Sequence, residues 1–258
     1  MLDSGIGRLA NVHLQTLPGF TLPGDTSASA RTFEEDLIDP PVVVSPQGMI
    51  RVPEGAGIGH EIVWARVEKA TLFKEEWRLP PHDGAPTDDN MRFAPSVVAN
   101  ERLEATVYGP GASVVRAAEH EGRIDLWTGL ATSPVAVTLR DKRNYIDLTG
   151  LARLRWIVRT NSIHVLYPVV KLADGTYAAG NRGITTDGEF LQVEVAFGGM
   201  RWYKLDPVKV VVTSEVTNPE LSKVDEVGLV TLAPGGGHGI AGSANFSTVE
   251  LFAKAVPR

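Results

Sequence analysis

From Met91 to the C-terminus, apolar and polar residues alternate with a period close to two, the spacing of strands that bury one face and expose the other. The clearest runs are Leu103–Tyr108, Val135–Leu139, Leu154–Arg159, Ile163–Leu172, Phe190–Ala196, Val208–Val212, Val227–Leu232 and Thr248–Phe252. Turn signals such as Asp174-Gly175, Thr186-Asp187-Gly188 and Gly198-Gly199 separate them. No long helical pattern interrupts the series. Eight or nine strands in roughly 165 residues predict a mainly β fold, a jelly-roll β-sandwich with one core between two sheets.

The first 78 residues read differently, as a short α+β segment. Ile6, Leu9, Val12, Leu14 and Leu17 fall at helical spacing, with Ser4 placed as an N-cap and Pro18-Gly19 as a stop. Val42–Val44 and Met49–Val52 flank Ser45-Pro46-Gln47-Gly48, which predicts a hairpin. Residues 60–77 fit a helix through Val63, Val67 and Ala70, or an extended segment through Leu72, Phe73 and Trp77. The stretch Leu79–Asn90 holds three Pro and three Asp and little to bury, so it reads as a linker between units 1–78 and 91–258.

Composition narrows the function classes. Lys plus Arg total 25 against 31 Asp plus Glu, a net charge of −6, which leaves no basic footprint for nucleic acid. With no Cys there is no disulfide framework, thiolate metal site or Cys nucleophile. No apolar run approaches the ~18 residues of a membrane span, and MLDSGIGRLA has neither a basic nor an apolar leader region. The expectation is a soluble, cytoplasmic protein without a membrane partner.

Two family resemblances carry further. Met1-Leu2-Asp3-Ser4-Gly5-Ile6-Gly7-Arg8, Leu17-Pro18-Gly19-Phe20-Thr21-Leu22-Pro23-Gly24-Asp25-Thr26-Ser27-Ala28-Ser29 and Arg51-Val52-Pro53-Glu54-Gly55-Ala56-Gly57-Ile58-Gly59 occur in order. Over residues 1–62 they resemble the C-terminal end of enolase-superfamily enzymes, the o-succinylbenzoate synthase and N-acylamino acid racemase branch. That resemblance implies a last barrel strand, its helix and a returning tail. It also implies that the catalytic lysines and the carboxylates for a divalent metal belong to earlier strands not found here. Asp3 stands where the family usually has Glu. Separately, Tyr145–Leu151, Arg153–Arg159 and Pro219–Leu229 loosely resemble galactose-binding-like jelly rolls of carbohydrate-binding modules.

Candidate chemistry follows from the strands. Trp127, Trp156, Tyr167, Tyr177, Trp202 and Tyr203 are the aromatic rings on which a sugar's C–H face could pack. Trp156 alternates with Arg155 and is expected in the core, whereas one of Trp202 and Tyr203 should face outward. Arg153, Arg155 and Arg159, with His164 nearby, could bind an acidic sugar; the plainer reading is a solvated face balanced by Glu189 and Glu194. Gly235–Gly239 reads as a flexible loop with His238 available to a ligand, not as a phosphate loop. Asp147, Asp225, Glu226 and Glu250 are candidate oxygen ligands for a structural Ca²⁺, although no Asp-rich loop of diagnostic spacing is visible.

The resulting expectation is a non-catalytic sandwich that binds carbohydrate or another small molecule, carrying an inactive enzyme remnant. The remnant's bare apolar face points to a homo-oligomer. A second expectation is a subunit or fragment of a Mg²⁺-dependent racemase or synthase whose other strands lie upstream or on another chain. A third is a carbohydrate-active hydrolase or lyase within the sandwich.

Overall fold

A computed structural model describes residues 4–22, 24–28, 35–64, 66, 71–129, 133–161, 164–232 and 242–258. The chain divides into two compact units, Met1–Ala70 and Thr71–Arg258. Among the described residues no helix is long and apolar enough to cross a membrane.

In the first unit α1 (Gly5–Leu14) forms where the periodicity places it, but Ser4 makes no side-chain cap. The Asp36 carboxylate caps it instead, accepting the N–H groups of Gly5 and Leu37, each at 2.7 Å. A carboxylate there satisfies an orphan donor and meets the positive end of the helix dipole. Leu9 and Val12 are buried, and Leu9 clusters with Ile38 and Val42, whereas Leu14 and Leu17 lie exposed. β1 (Ile38–Asp39) and β2 (Glu61–Ile62) pair antiparallel. The expected hairpin shrinks to a single bridge between Val44 and Ile50, because Val43 and Met49 have no core to face and stay exposed.

The second unit is the expected jelly-roll sandwich. It opens with β3 (Phe73–Glu75), β4 (Leu103–Tyr108), β5 (Arg116–His120), β6 (Arg123–Trp127), β7 (Val135–Asp141) and β8 (Asn144–Asp147). It continues with β9 (Arg153–Thr160), β10 (Leu166–Leu172), β11 (Tyr177–Gly180), β12 (Leu191–Ala196) and β13 (Trp202–Asp206). The last four are β14 (Val211–Val216), β15 (Val224–Thr231), β16 (Ala244–Phe252) and β17 (Lys254–Pro257). One sheet runs β14-β13-β11-β10-β15-β7-β4, with β8 beside β15 and β17 beside β8. The other runs β12-β9-β16-β6-β5, with β3 added on β16. Inward residues of both sheets, among them Leu126, Leu139, Trp156, Leu229, Phe246 and Leu251, build one core.

The boundary falls at 70/71, not at the Pro-rich stretch. Phe73–Glu75 is a sheet strand, and Trp77 is buried at 3% exposure. A bulge in β16 between Phe246 and Val249 leaves the Ser247 carbonyl to accept two indole N–H groups, from Trp77 at 3.0 Å and Trp156 at 2.9 Å. The supposed linker, Leu79–Asn90, also belongs to the second unit: Leu79 packs against its core and Asp88 pairs with Arg116 of β5. Its polar composition reflects a surface strap, not a free tether. Within Val208–Val212, residues 207–210 form a turn and strand pairing starts only at Val211.

Candidate functional site

A bulge in β15 organises the site. Lys171 pairs with Glu226 and Leu172 with Val224, so Asp225 is the extra residue, and both adjacent carboxylates turn to one side. The Lys171 ammonium bridges them, 3.2 Å from Asp225 and 2.9 Å from Glu226.

Registers extend this face across the sheet. Tyr108 lies opposite Ala136, Ala136 opposite Val230 and Val230 opposite Tyr167. Likewise Lys171 lies opposite Tyr177, and Val169 opposite Ala179, which faces Tyr203. Directly opposed residues share a face, so Tyr108, Tyr167, Tyr177 and Tyr203 all rise from the side away from the main core. Each is half-buried.

That face is concave. Between β4 and β11 lie three strands, or about 19 Å in a flat sheet. Nevertheless the rings of Tyr108 and Tyr177 meet edge to face, 5.2 Å between centroids, and the Tyr177 hydroxyl donates to Tyr108 at 2.9 Å. Only a strongly curled sheet lets them touch. Ala136, Val169, Ala179, Leu205, Val210 and Val230 form a buried apolar floor. Gly109, at φ +97°, lets the turn holding Val210 close one end, since a Cβ there would overlap the Val210 side chain.

The charged groups on this face neutralise one another. Glu226 accepts hydrogen bonds from the Tyr108 hydroxyl at 2.8 Å, the Thr138 hydroxyl at 2.6 Å and Lys171 at 2.9 Å. Asp225 is paired with Arg258 at 2.6 Å and Arg140 at 3.1 Å as well as with Lys171. Burial alone would raise the Asp225 pKa, but the bonds from Arg258, Arg140 and Lys171 outweigh it and hold the carboxyl below its usual range. Burial opposes the Lys171 charge, yet Glu226 and Asp225 prevail and push that pKa up. Tyr108 is pushed up by burial, then by its Tyr177 bond and the Glu226 charge, so its phenol stays protonated.

The structure thus brings together Tyr177, Tyr203, Asp225 and the aromatic candidate Tyr167. It separates the rest. Trp202 is buried in the core and stacked on Phe197 at 6.4 Å, so the outward member of its pair is Tyr203. Arg155 lies on the other sheet between Glu194 at 3.4 Å and Glu250 at 3.2 Å, the charge-balanced arrangement. Arg159 bonds Asn245 at 3.2 Å and Glu121 at 3.4 Å. His164 is fully buried with Thr231 3.4 Å from its Nδ1, and burial lowers its pKa, so it does not belong to the exposed tyrosine face. His238 and Asp3 lie outside the described residues.

The expected Ca²⁺ ligands do not converge. Asp147 closes its own turn by accepting from the Thr149 N–H and hydroxyl at 2.9 and 2.6 Å. Asp225 is saturated by cations, and Glu250 sits on the opposite sheet. Among the described residues no group of three or more His, Asp or Glu could hold a metal ion. Sequence reasoning missed Tyr108, Thr138, Arg140 and Lys171, whose roles depend on registers and a bulge that no local pattern announces. Glu226 it weighed only as a Ca²⁺ ligand, the one signal being its odd place in an apolar strand.

No family model matches the chain. It is 46% identical over 74 residues to the N-succinylamino acid racemase of Thermus thermophilus, covering 29% of this chain and 20% of that protein. It is 48% identical over 73 residues to the o-succinylbenzoate synthase of Geobacillus stearothermophilus, covering 28% and 19%. The chain therefore spans about a fifth of these relatives' length. Among solved structures it resembles a family 11 carbohydrate-binding module of a Clostridium thermocellum cellulosomal cellulase, at 12% identity and TM-score 0.36, covering 60% of this chain and 84% of the module. The Clostridium thermocellum module in complex with a β-1,3-1,4-mixed-linked tetrasaccharide gives 12% identity and TM-score 0.36, covering 62% and 88%.

Proposed function

We propose that the sandwich is a non-catalytic carbohydrate-binding module and that the concave tyrosine face is its contact surface. The observation that carries this reading is the set of four half-exposed tyrosines on one curved face whose charges are already paired. Such rings offer apolar surface to a sugar's C–H face, and their hydroxyls read its oxygens. The paired charges favour a neutral glycan over an anionic one, since Lys171, Arg140 and Arg258 all have carboxylate partners. Hydrolysis would need a carboxylic acid still protonated near neutral pH. Asp225, held ionised, does not suit that role. The test is a titration of the full chain with neutral soluble oligosaccharides. Binding should weaken at least tenfold in Tyr167→Ala and Tyr203→Ala; unchanged binding in both, or none in the wild type, overturns the reading.

A second reading rests on the 46–48% identity of one segment to racemase and synthase relatives. Such enzymes imply Mg²⁺, but the described residues offer no converging ligand set, so any such activity needs strands supplied from elsewhere. Mg²⁺-dependent racemisation by the chain co-purified with a partner polypeptide that carries the missing strands would favour this reading; a chain that recruits no such partner and stays silent would count against it. Exposed Leu14, Leu17, Phe20 and Trp64 on the first unit support self-association, which a monomer in sizing experiments would refute.

A further inference from the structure

The six-stranded sheet carries a cavity of about 340 Å³ that shares no residue with the tyrosine face and is walled by the proline-rich strap and by β5 and β6. Leu79, Pro86 and Met91 supply its apolar wall, and Trp127 and His120 its aromatic one. Arg116 stacks over the Trp127 ring at 4.2 Å from its centroid and is neutralised by Asp88. His120 meets the same indole edge to face, with 6.1 Å between centroids.

Beneath lies a buried polar chain. Asp125, fully buried, accepts from the Asn245 amide at 2.7 Å and holds His120 Nδ1 at 2.9 Å; Asn245 in turn accepts from Arg159 Nε at 3.2 Å. A carboxylate on Nδ1 fixes the proton there and leaves Nε2 as the acceptor. Nε2 has no partner among the described residues, and the ring lines the cavity. Thr87 and Glu119 also line it.

We infer that this cavity is a second ligand site, taking a single neutral, hydroxylated ring of pyranose size with its C–H face toward Trp127 and a hydroxyl donating to His120 Nε2. The volume lies within the range of small-molecule sites, and Arg116, paired with Asp88, and Asp125, paired with His120, do not call for a charged ligand. The inference shares its ligand class with the tyrosine-face reading but uses none of its residues.

The test uses the full chain and a panel of methyl pyranosides of glucose, galactose and mannose, followed by NMR titration. At least one should bind with a millimolar Kd. His120→Asn keeps a donor near Nδ1 for Asp125 but removes Nε2, so it should retain the wild-type melting temperature while weakening binding about tenfold. Trp127→Ala should weaken it similarly or more, and Tyr203→Ala should leave it unchanged. Absence of binding by every pyranoside, or wild-type affinity in both His120→Asn and Trp127→Ala, overturns the inference. Loss in Tyr203→Ala alone would place the sugar on the tyrosine face, sinking this site while favouring the other.

Discussion

Replacing Glu75 by Ala tests whether the segment just after residue 70 is structural. The Glu75 carboxylate is buried and accepts three backbone N–H groups, from Trp77 at 2.8 Å, Ala99 at 2.7 Å and Asn100 at 3.0 Å. The bond to Trp77 holds an aromatic residue at φ 49°, a left-handed conformation costing about 1–2 kcal/mol, and so swings the indole toward Ser247. Ala99 and Asn100 border solvent and can turn to water once the carboxylate is gone. The buried Trp77 N–H cannot, and an unmet donor to a charged acceptor costs roughly 1.5–3 kcal/mol. With some relaxation of the Trp77 turn, Glu75→Ala should destabilise by about 3 kcal/mol. For a unit of this size that is a fall of about 6–12 °C in Tm. Thermal melts followed by near-UV circular dichroism, with urea titrations to show an unchanged m-value, measure it. Glu75→Gln keeps an oxygen for Trp77 and Ala99 and should lose only about 1 kcal/mol. A Glu75→Ala melt within about 1 °C of wild type would refute the reasoning and detach β3 from the fold.

Two further outcomes follow from burial. Gly228→Ala puts a Cβ into the Val137 carbonyl and 2.7 Å from the Thr138 Cα, a clash with backbone, so it should destabilise by about 3 kcal/mol or prevent folding; a melt near wild type would contradict it. His164 folds with its pKa lowered by burial, so the unfolded chain takes up its proton first. Its contribution is complete above the unfolded pKa of about 6.5 and declines as pH falls below that value, by at most about 1.4 kcal/mol per pH unit. Urea titrations from pH 7 to pH 5 should show that decline in the wild type and a shallower one in His164→Gln.

The strands legible in the sequence were those with long β-branched alternation, such as β7, β9 and β15. The ones that escaped, such as β5 (Arg116–His120) and β11 (Tyr177–Gly180), are short and built from Ala, Arg, Glu, His and Gly, residues with little strand preference of their own. The sheet supplies their pairing. The stretch 79–90 was misread for a related reason: it is rich in Pro and Asp, but Leu79 packs against the core and Asp88 pairs with Arg116, which composition does not report. Alternation did place Trp156 inside, and it identified Tyr177 and Tyr203 as aromatic candidates. It could not show that they share a face, because that depends on the registers of β10, β11 and β13. Nor could it show that the Asp225 bulge turns a would-be Ca²⁺ ligand into the partner of Lys171, Arg140 and Arg258.

The central claim, that the concave face binds neutral glycan through its tyrosines, is tested most directly by calorimetric titration of the full chain with the best oligosaccharide of a neutral panel. The measurement compares wild type with the Tyr167→Ala/Tyr203→Ala double variant, after matching their melting temperatures. Saturable binding in the wild type and a loss of about a hundredfold or more in the variant is the predicted result. Equal affinities for the two proteins would contradict it.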